Sequence, residues 1–322
     1  MRVADRVVID VLVDNTTDFL SRTAPHVTSE FGVLRNAGME RLAGQSLCSA
    51  HHGLSLVVSV EADTDRHTIL FDAGPDGHAV LRNGALIGVP FNEIEALVLS
   101  HGHFDHSEGL AAAVQRIREE DNEGKLPLYV HPGAFVRRGS RLPDGSVLPY
   151  QEVPSVDALN RLGVDVLTAR TPREIADGLA YLSGEVPRVS GFERGMRNHV
   201  SETAPGRWDD DPWIMDDQFL VTHVRDKGLL VFTGCGHAGV VNILTETRRA
   251  FPDIPIFGLM GGLHLTFPNE DIIAQTVEAL GDFGLSVIAP GHCTGWRGTH
   301  ALLAAFGEDI VQPLAVGSRH VF

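Results

Sequence analysis

The sequence predicts an α/β (α+β) chain in which two sheets pack face to face with helices outside. Three observations lead there. Strands come first and helices alternate later in both halves. Polar, histidine-bearing turns follow apolar runs, so reactive groups collect at strand ends. And 322 residues, 43% hydrophobic and 21% charged, give ample chain to bury a core. The same balance excludes low-complexity disorder, collagen and coiled coil.

Taken in order, residues 6–13 (RVVIDVLV) and 54–60 (LSLVVSV) are rich in β-branched side chains and read as strands. Residues 67–71 (HTILF) form a third, running into the turn Asp72-Ala73-Gly74-Pro75. A helix is expected over 77–87. The short apolar run 96–100 (ALVLS) has the length of a buried strand. Ser107 with Glu108 is placed to cap a helix over 111–119, whose apolar face includes Leu110, Val114 and Ile117. Another strand is read at 128–130. Periodicity then fades over about 133–215, which reads as a cap or insertion within a single domain spanning 1–322. Order returns with strands at 219–224 and 229–233, a helix at 240–250 and a strand at 256–259. A helix at 271–280, a strand at 286–289, a helix near 299–306 and a strand at 310–316 complete the chain.

Charge and cysteine content bound the function. Lys and Arg number 26 against 42 Asp and Glu, a net charge of −16, so neither nucleic acid nor an anionic membrane is an expected partner. Three widely spaced cysteines, Cys48, Cys235 and Cys293, build no disulfide framework and suit a reducing compartment. The stretch 7–13 is interrupted by Asp10 and lacks a signal-peptide core. No run approaches the roughly 18 apolar residues of a membrane helix. A cytoplasmic protein with a small-molecule substrate is expected.

The sharpest chemical signal is His101-Gly102-His103-Phe104-Asp105-His106, directly after the 96–100 strand. Imidazole and carboxylate are the usual ligands of zinc and neighbouring divalent metals, at about 2.0–2.2 Å. Gly102 frees the backbone so that His101 and His103 can converge on one ion. Asp105 and His106 then face an adjacent position, so that one loop can feed two metals.

On this motif, with Phe71-Asp72-Ala73-Gly74 upstream, the chain resembles the metallo-β-lactamase-fold superfamily. More narrowly it resembles the dihydropterin ribofuranosylaminobenzene phosphate synthase-like hydrolases. That closer match rests on Asp14-Asn15, His52-Gly53-Leu54-Ser55 and the run Ser183-Gly184-Glu185-Val186-Pro187. Later segments add Thr233-Gly234-Cys235-Gly236-His237-Ala238-Gly239, Gly261-Gly262-Leu263-His264-Leu265 and Gly291-His292-Cys293-Thr294-Gly295. The resemblance implies a four-layer αββα sandwich with a metal site at the rim between the sheets. It further implies His237 as a third histidine for the first metal and His292 as a ligand of the second. Many two-metal relatives carry a bridging Asp where this chain has Cys235. A thiolate can substitute there, and the other reading is a small buried residue.

The remaining site candidates come from position. Asp72 ends a strand where its carboxylate can accept an N–H from a ligand imidazole; an Asx turn is the alternative. It is grouped with Asp105 and His264 as catalytic. His264 follows two glycines and is expected to transfer a proton or touch substrate. His52 belongs to the subgroup match without a role derived for it, and His131 is read as structural. Arg137, Arg138, Arg141, Arg194 and Arg197 can receive a phosphate or carboxylate if they converge. Trp208 and Trp213 are expected to pack the cap onto the body.

The function expected is a metal-dependent hydrolase holding one or two zinc ions, with manganese or iron as alternatives. Metal-bound hydroxide would act on an ester-like or phosphoester-like small molecule, pterin-related by the subgroup resemblance. A mononuclear iron persulfide-type dioxygenase and a metal-stabilised, non-catalytic binding protein are the alternatives.

Overall fold

The computed structural model describes residues 1–119 and 124–322. Among these, two large sheets face each other. One has eight strands, ordered in space Val164–Thr168, Leu126–Val130, Ile94–Val98, Asp65–Phe71, Ser55–Ala62, Arg6–Val13, Arg319–Val321 and Val27–Thr28. The other runs Arg173–Ile175, Ala180–Leu182, Leu220–Val224, Gly228–Thr233, Ile256–Gly262 and Val287–Gly291, with Val3–Ala4 pairing alongside Leu220–Val224.

Side-chain alternation along these strands builds three separate cores. In the first sheet Val57, Leu70 and Leu97 turn outward to meet Val80 and Ile87 of the helix Gly77–Ile87 and Val114 and Ile117 of the helix Leu110–Arg118. Their neighbours Leu56, Val58, Ile69, Phe71 and Val98 turn inward against Leu220, Leu230, Phe232 and Met260 of the second sheet. The outer face of that sheet, through Val221, Val231 and Leu259, packs on Ile243 and Leu244 of the helix Val240–Ala250, with Leu280 and Leu302 from the helices Ile273–Leu280 and Gly295–Phe306. Three cores separate four layers, giving the αββα order. Strands buried on both faces read as nearly continuous apolar runs, and each buried Phe such as Phe71 or Phe232 contributes about 1.5–3 kcal/mol.

The segment 133–215 is not uniform. Arg138–Arg141, Val147–Pro149, His199–Ala204 and Arg207–Asp210 form a small antiparallel sheet of their own. Val164–Thr168, Arg173–Ile175 and Ala180–Leu182, however, are strands of the two main sheets. They are short strands at or next to a sheet edge, and three to five residues carry too little periodicity to stand out in sequence.

Two local expectations need correcting. The strand expected at 310–316 is absent: Val311 makes an isolated bridge to Ile288, and Pro313 has no N–H to continue a ladder. The terminal strand is Arg319–Val321, antiparallel to Arg6–Val13. Ser107 caps nothing; it lies inside a short helix Phe104–Ser107 and its hydroxyl donates to the carbonyl of His103. No helix among the described residues is long and apolar enough to cross a membrane.

Candidate metal centre

Four parallel strands point their carboxyl ends at one rim between the sheets. Ile94–Val98 delivers His101 to His106, Gly228–Thr233 delivers Cys235 and His237, Ile256–Gly262 delivers His264, and Val287–Gly291 delivers His292. Strand ends leave side chains free of the ladder, and so the groups can converge. Glycine allows the two rims to touch: a Cβ on Gly234 would lie 2.0 Å from Ser100 Oγ. Gly102 has a related reason, since a Cβ there would meet the Ala134 carbonyl oxygen at 2.1 Å. Close approach, rather than backbone freedom alone, is what requires glycine at position 102.

The convergent groups form two adjoining sets. His101, His103 and His237 bring one ring nitrogen each into the first; Asp105, His106, Cys235 and His292 make the second. Cys235 also lies within reach of His237 and His264, so its sulfur stands between the sets. All of these side chains are buried.

Hydrogen bonds behind the rings decide which nitrogens are bare. Ser100 Oγ donates to Asp72 Oδ2 at 2.7 Å, and so must accept from His101 Nδ1 at 2.9 Å, leaving His101 Nε2 unprotonated. His106 Nδ1 donates to Asp72 Oδ2 at 2.7 Å, which aims its Nε2 at Cys235 Sγ, 3.2 Å away. His199 Nδ1 donates to the Asp211 carbonyl at 2.7 Å, so His199 Nε2 accepts from His103 Nε2 at 3.1 Å and His103 Nδ1 is bare. Asn15 Oδ1, oriented by accepting from the Gly53 N–H, takes the proton of His292 Nδ1 at 3.0 Å. That turns His292 Nε2 towards Asp105 Oδ2, 3.3 Å away. The unprotonated nitrogens of His101 and His103 lie 3.0 Å apart, and His237 Nε2 lies 3.2 Å from His103 Nδ1. The lone pairs of His101 and His103 repel unless a cation lies between them, and carriers behind a ring that fix its tautomer, as Ser100 and His199 do for these two, are the usual support of metal ligands. The donor set therefore fits a divalent metal.

Electrostatics agree. Burial, with neighbouring histidines, holds His101, His103 and His237 well below the ordinary imidazole range, hence neutral. In the second set burial opposes charge, yet Asp72 and Asp105 raise His106 to about 9. Burial likewise opposes ionisation of Asp105, but His106 and His292 hold its carboxyl well below the carboxylate range. This half of the site favours positive charge. Burial pushes the Cys235 thiol up, so a cation is what would draw off its proton.

A pocket of about 380 Å³ opens over these groups, lined by His103, Asp105, His237 and His264 on its floor and by Phe104, Tyr150, Met196 and Phe267 on its walls. His264 lines it with neither ring nitrogen hydrogen-bonded, its ring 4.2 Å from that of His237. Asp72, His264 and His292 all sit at positive φ (58°, 43° and 47°) without being glycine. Such strain gathers at functional sites. Asp72 itself lies behind the ligands, holding His106 and Ser100 rather than facing the pocket. His52 sits at the pocket mouth, its Nε2 3.4 Å from Asp105 Oδ2 and its Nδ1 accepting from Asn15. His131 lies apart, paired with Glu185 at 3.1 Å.

None of the five arginines lines the metal pocket. Arg138 is buried against Asp216 at 2.5 Å; Arg137 pairs with Glu152 and Glu202, Arg141 with Asp210 and Arg197 with Asp271. Trp208 lies under Arg137, and Trp213 is partly exposed outside the pocket.

Two supports escape sequence reading. His199 lies 96 residues from the ring it orients and has no motif around it. Asp216-Asp217-Gln218 clamps the site across both sheets. Asp216 accepts the Gly102 N–H at 2.8 Å, Asp217 accepts the Ala238 N–H at 2.8 Å, and the Gln218 side chain donates to the Leu99 carbonyl at 2.9 Å. Two acidic residues directly before the apolar run 219–224 repeat the strand-edge signal that marked His101–His106, and could have been read the same way.

A family model for the beta-lactamase superfamily domain matches residues 67–158, and the αββα layering is that of the metallo-β-lactamase fold. More particularly, the chain is 27% identical over 262 residues to 7,8-dihydropterin-6-methyl-4-(beta-D-ribofuranosyl)-aminobenzene-5'-phosphate synthase of Methanocaldococcus jannaschii, covering 81% of this chain and 86% of the relative. A second, uncharacterized protein of that organism is 29% identical over 77% of this chain and 86% of its own length. Among solved structures, the metal-dependent hydrolase Tm1679 of the beta-lactamase superfamily superposes with a TM-score of 0.70 at 22% identity, over 97% of this chain and 98% of that one. Unliganded yeast PDE1 gives 0.53 at 12% identity over both full lengths.

Proposed function

We propose that this chain is a metal-dependent hydrolase with a two-metal site, acting on an ester-like or phosphoester-like small molecule. The observation that carries this reading is the pairing of two adjoining donor sets beneath an open pocket, with Cys235 of the second set also within reach of His237 of the first. Divalent ions held there supply Lewis acidity and bring the pKa of a bound water towards roughly 7. Zinc suits the mixed imidazole, carboxylate and thiolate donors.

The chain's own residues supply the rest. Asp105, with one oxygen reached by both His52 and His292, orients a nucleophile at the pocket floor. His264, free at both nitrogens, hands a proton to the leaving group. Phe104, Tyr150, Met196 and Phe267 exclude water and favour a flat, weakly polar portion of the substrate. A pterin-related compound would suit such walls, and the similarity to the methanogen synthase supports that class. The mononuclear iron oxygenase needs the first set alone and leaves Asp105, His106, Cys235 and His292 without a task.

Metal-loaded protein should turn over at least one member of an aryl ester, phosphodiester, thioester and lactone panel, lose that turnover on chelation and regain it on adding metal back. Oxygen uptake with a thiol persulfide would move the reading to the oxygenase, and inertness in every assay to a binding protein.

A further inference from the structure

A second cavity, of about 360 Å³, opens beside the metal pocket and is predominantly polar, with Arg194, Arg197, Asn269, Asp271 and Gln275 in its lining. The partition between the two is made by two short segments, each facing both sides. Met196 and Phe267 line the metal pocket, while Arg194, Arg197 and Asn269 line the second cavity. A small cleft shares Arg194, Asn269 and Ile272 with this cavity and His237 and His264 with the metal pocket; Glu193 also lines it, its carboxylate taken up by the Val241 and Asn242 N–H groups.

The arginines here differ in state. Arg197 is committed: it donates to the Pro268 carbonyl at 2.6 Å and to Asp271 at 3.3 Å, which fastens the partition and neutralises the cavity's one carboxylate. Arg194 is exposed and, among the described residues, has neither a hydrogen-bond nor an ion-pair partner. In a chain of net charge −16, where Arg137, Arg141 and Arg197 are matched by carboxylates, an unmatched guanidinium facing a polar cavity selects for negative charge. Asn269 and Gln275 add amide donors, and a guanidinium binds an oxyanion through two parallel N–H bonds.

We propose that this cavity is an anion subsite centred on Arg194, receiving a phosphate or carboxylate of the substrate remote from the reacting group. A ligand would lay its flat portion against Phe267 and Met196 and its anion beyond them. This deepens the hydrolase reading by assigning an anionic substrate class, but anion binding at Arg194 does not itself require hydrolysis.

The test titrates the metal-loaded protein calorimetrically with phenyl phosphate, with benzoate and with uncharged benzyl alcohol. Arg194→Ala should weaken one or both anions about tenfold relative to benzyl alcohol, the scale of a lost charge-assisted bond. Arg194→Glu should weaken them further, and Arg194→Lys should recover part of the loss. Whichever anion responds identifies the group taken. Anion affinities that stay within twofold of wild type in Arg194→Ala and Arg194→Glu, both folded and metal-loaded, would overturn the subsite. Should the hydrolysis panel fail while the Arg194 variants still lose anion affinity, the hydrolase reading falls and the subsite stands.

Discussion

Replacing His103 by Ala should lower turnover by at least ~10³-fold and remove about one metal equivalent per chain, while the circular dichroism spectrum stays that of the wild type. His103 brings its bare Nδ1 to the first donor set, and without it that set keeps only His101 and His237. His199 only carries the proton on the far nitrogen of that ring. Supports behind a ligand typically change affinity or activity 10- to 100-fold, so His199→Ala should fall in that smaller range. Loss of the ligand itself must exceed it, because the lowered water pKa goes with the metal. Steady-state kinetics with elemental analysis of both variants checks the order. Near-normal turnover in His103→Ala, or a larger loss in His199→Ala than in His103→Ala, contradicts the site as drawn.

The second large effect is on stability. Arg138 and Asp216 form a buried ion pair, 4% and 2% exposed, and the other Asp216 oxygen accepts the Gly102 N–H within the metal loop. Removing one partner of a buried pair leaves a charge with neither water nor counter-ion, at a cost of about 3–5 kcal/mol. Asp216→Ala should therefore lower Tm by on the order of 10 °C. Asp210→Ala, which breaks the exposed pair with Arg141, should shift it only slightly. The effect has a pH signature. Arg138, against the pull of burial, holds Asp216 down to about 2 from an ordinary 3.8. A depressed folded-state pKa contributes stability above about pH 3.8 and loses it as pH falls through about 2. Wild type and Asp216→Ala should thus differ fully at neutral pH and draw together in strong acid. Equal melting temperatures at pH 7 would show that Asp216 is no clamp.

Much of the architecture is legible in local sequence. The helices Gly77–Ile87 and Val240–Ala250 and the strand Arg6–Val13 fall at the bounds their patterns predict, because each is long enough to display its period. Val164–Thr168 and Ala180–Leu182 were hidden in the 133–215 stretch because strands of a few residues gain their pairing from distant partners. The 310–316 run carries the right apolar residues, but Pro313 breaks the ladder they would need.

The site divides along the same line. His101, His103, Asp105 and His106 announce themselves because four donors share one turn, and His237, His264 and His292 because glycines and a preceding strand mark each. Their convergence across two sheets needs the fold. The carriers of their protons are set by three-dimensional neighbours: Ser100 for His101, Asp72 for His106, His199 for His103 and Asn15 for His292. Only Asp72 among these was foreseeable, from its strand end. The arginines show the reverse error, a cluster in sequence that carboxylates separate in space, leaving Arg194 alone unmatched.

Metal content per chain, measured by elemental mass spectrometry on protein purified without added metal, tests the paired donor sets most directly. The account predicts about two divalent ions, zinc or manganese, per folded chain, since the His101–His103–His237 and Asp105–His106–Cys235–His292 sets are both complete. A folded chain holding a single iron would contradict the two-metal hydrolase and leave the second set unexplained. A folded chain holding no metal would contradict the centre altogether.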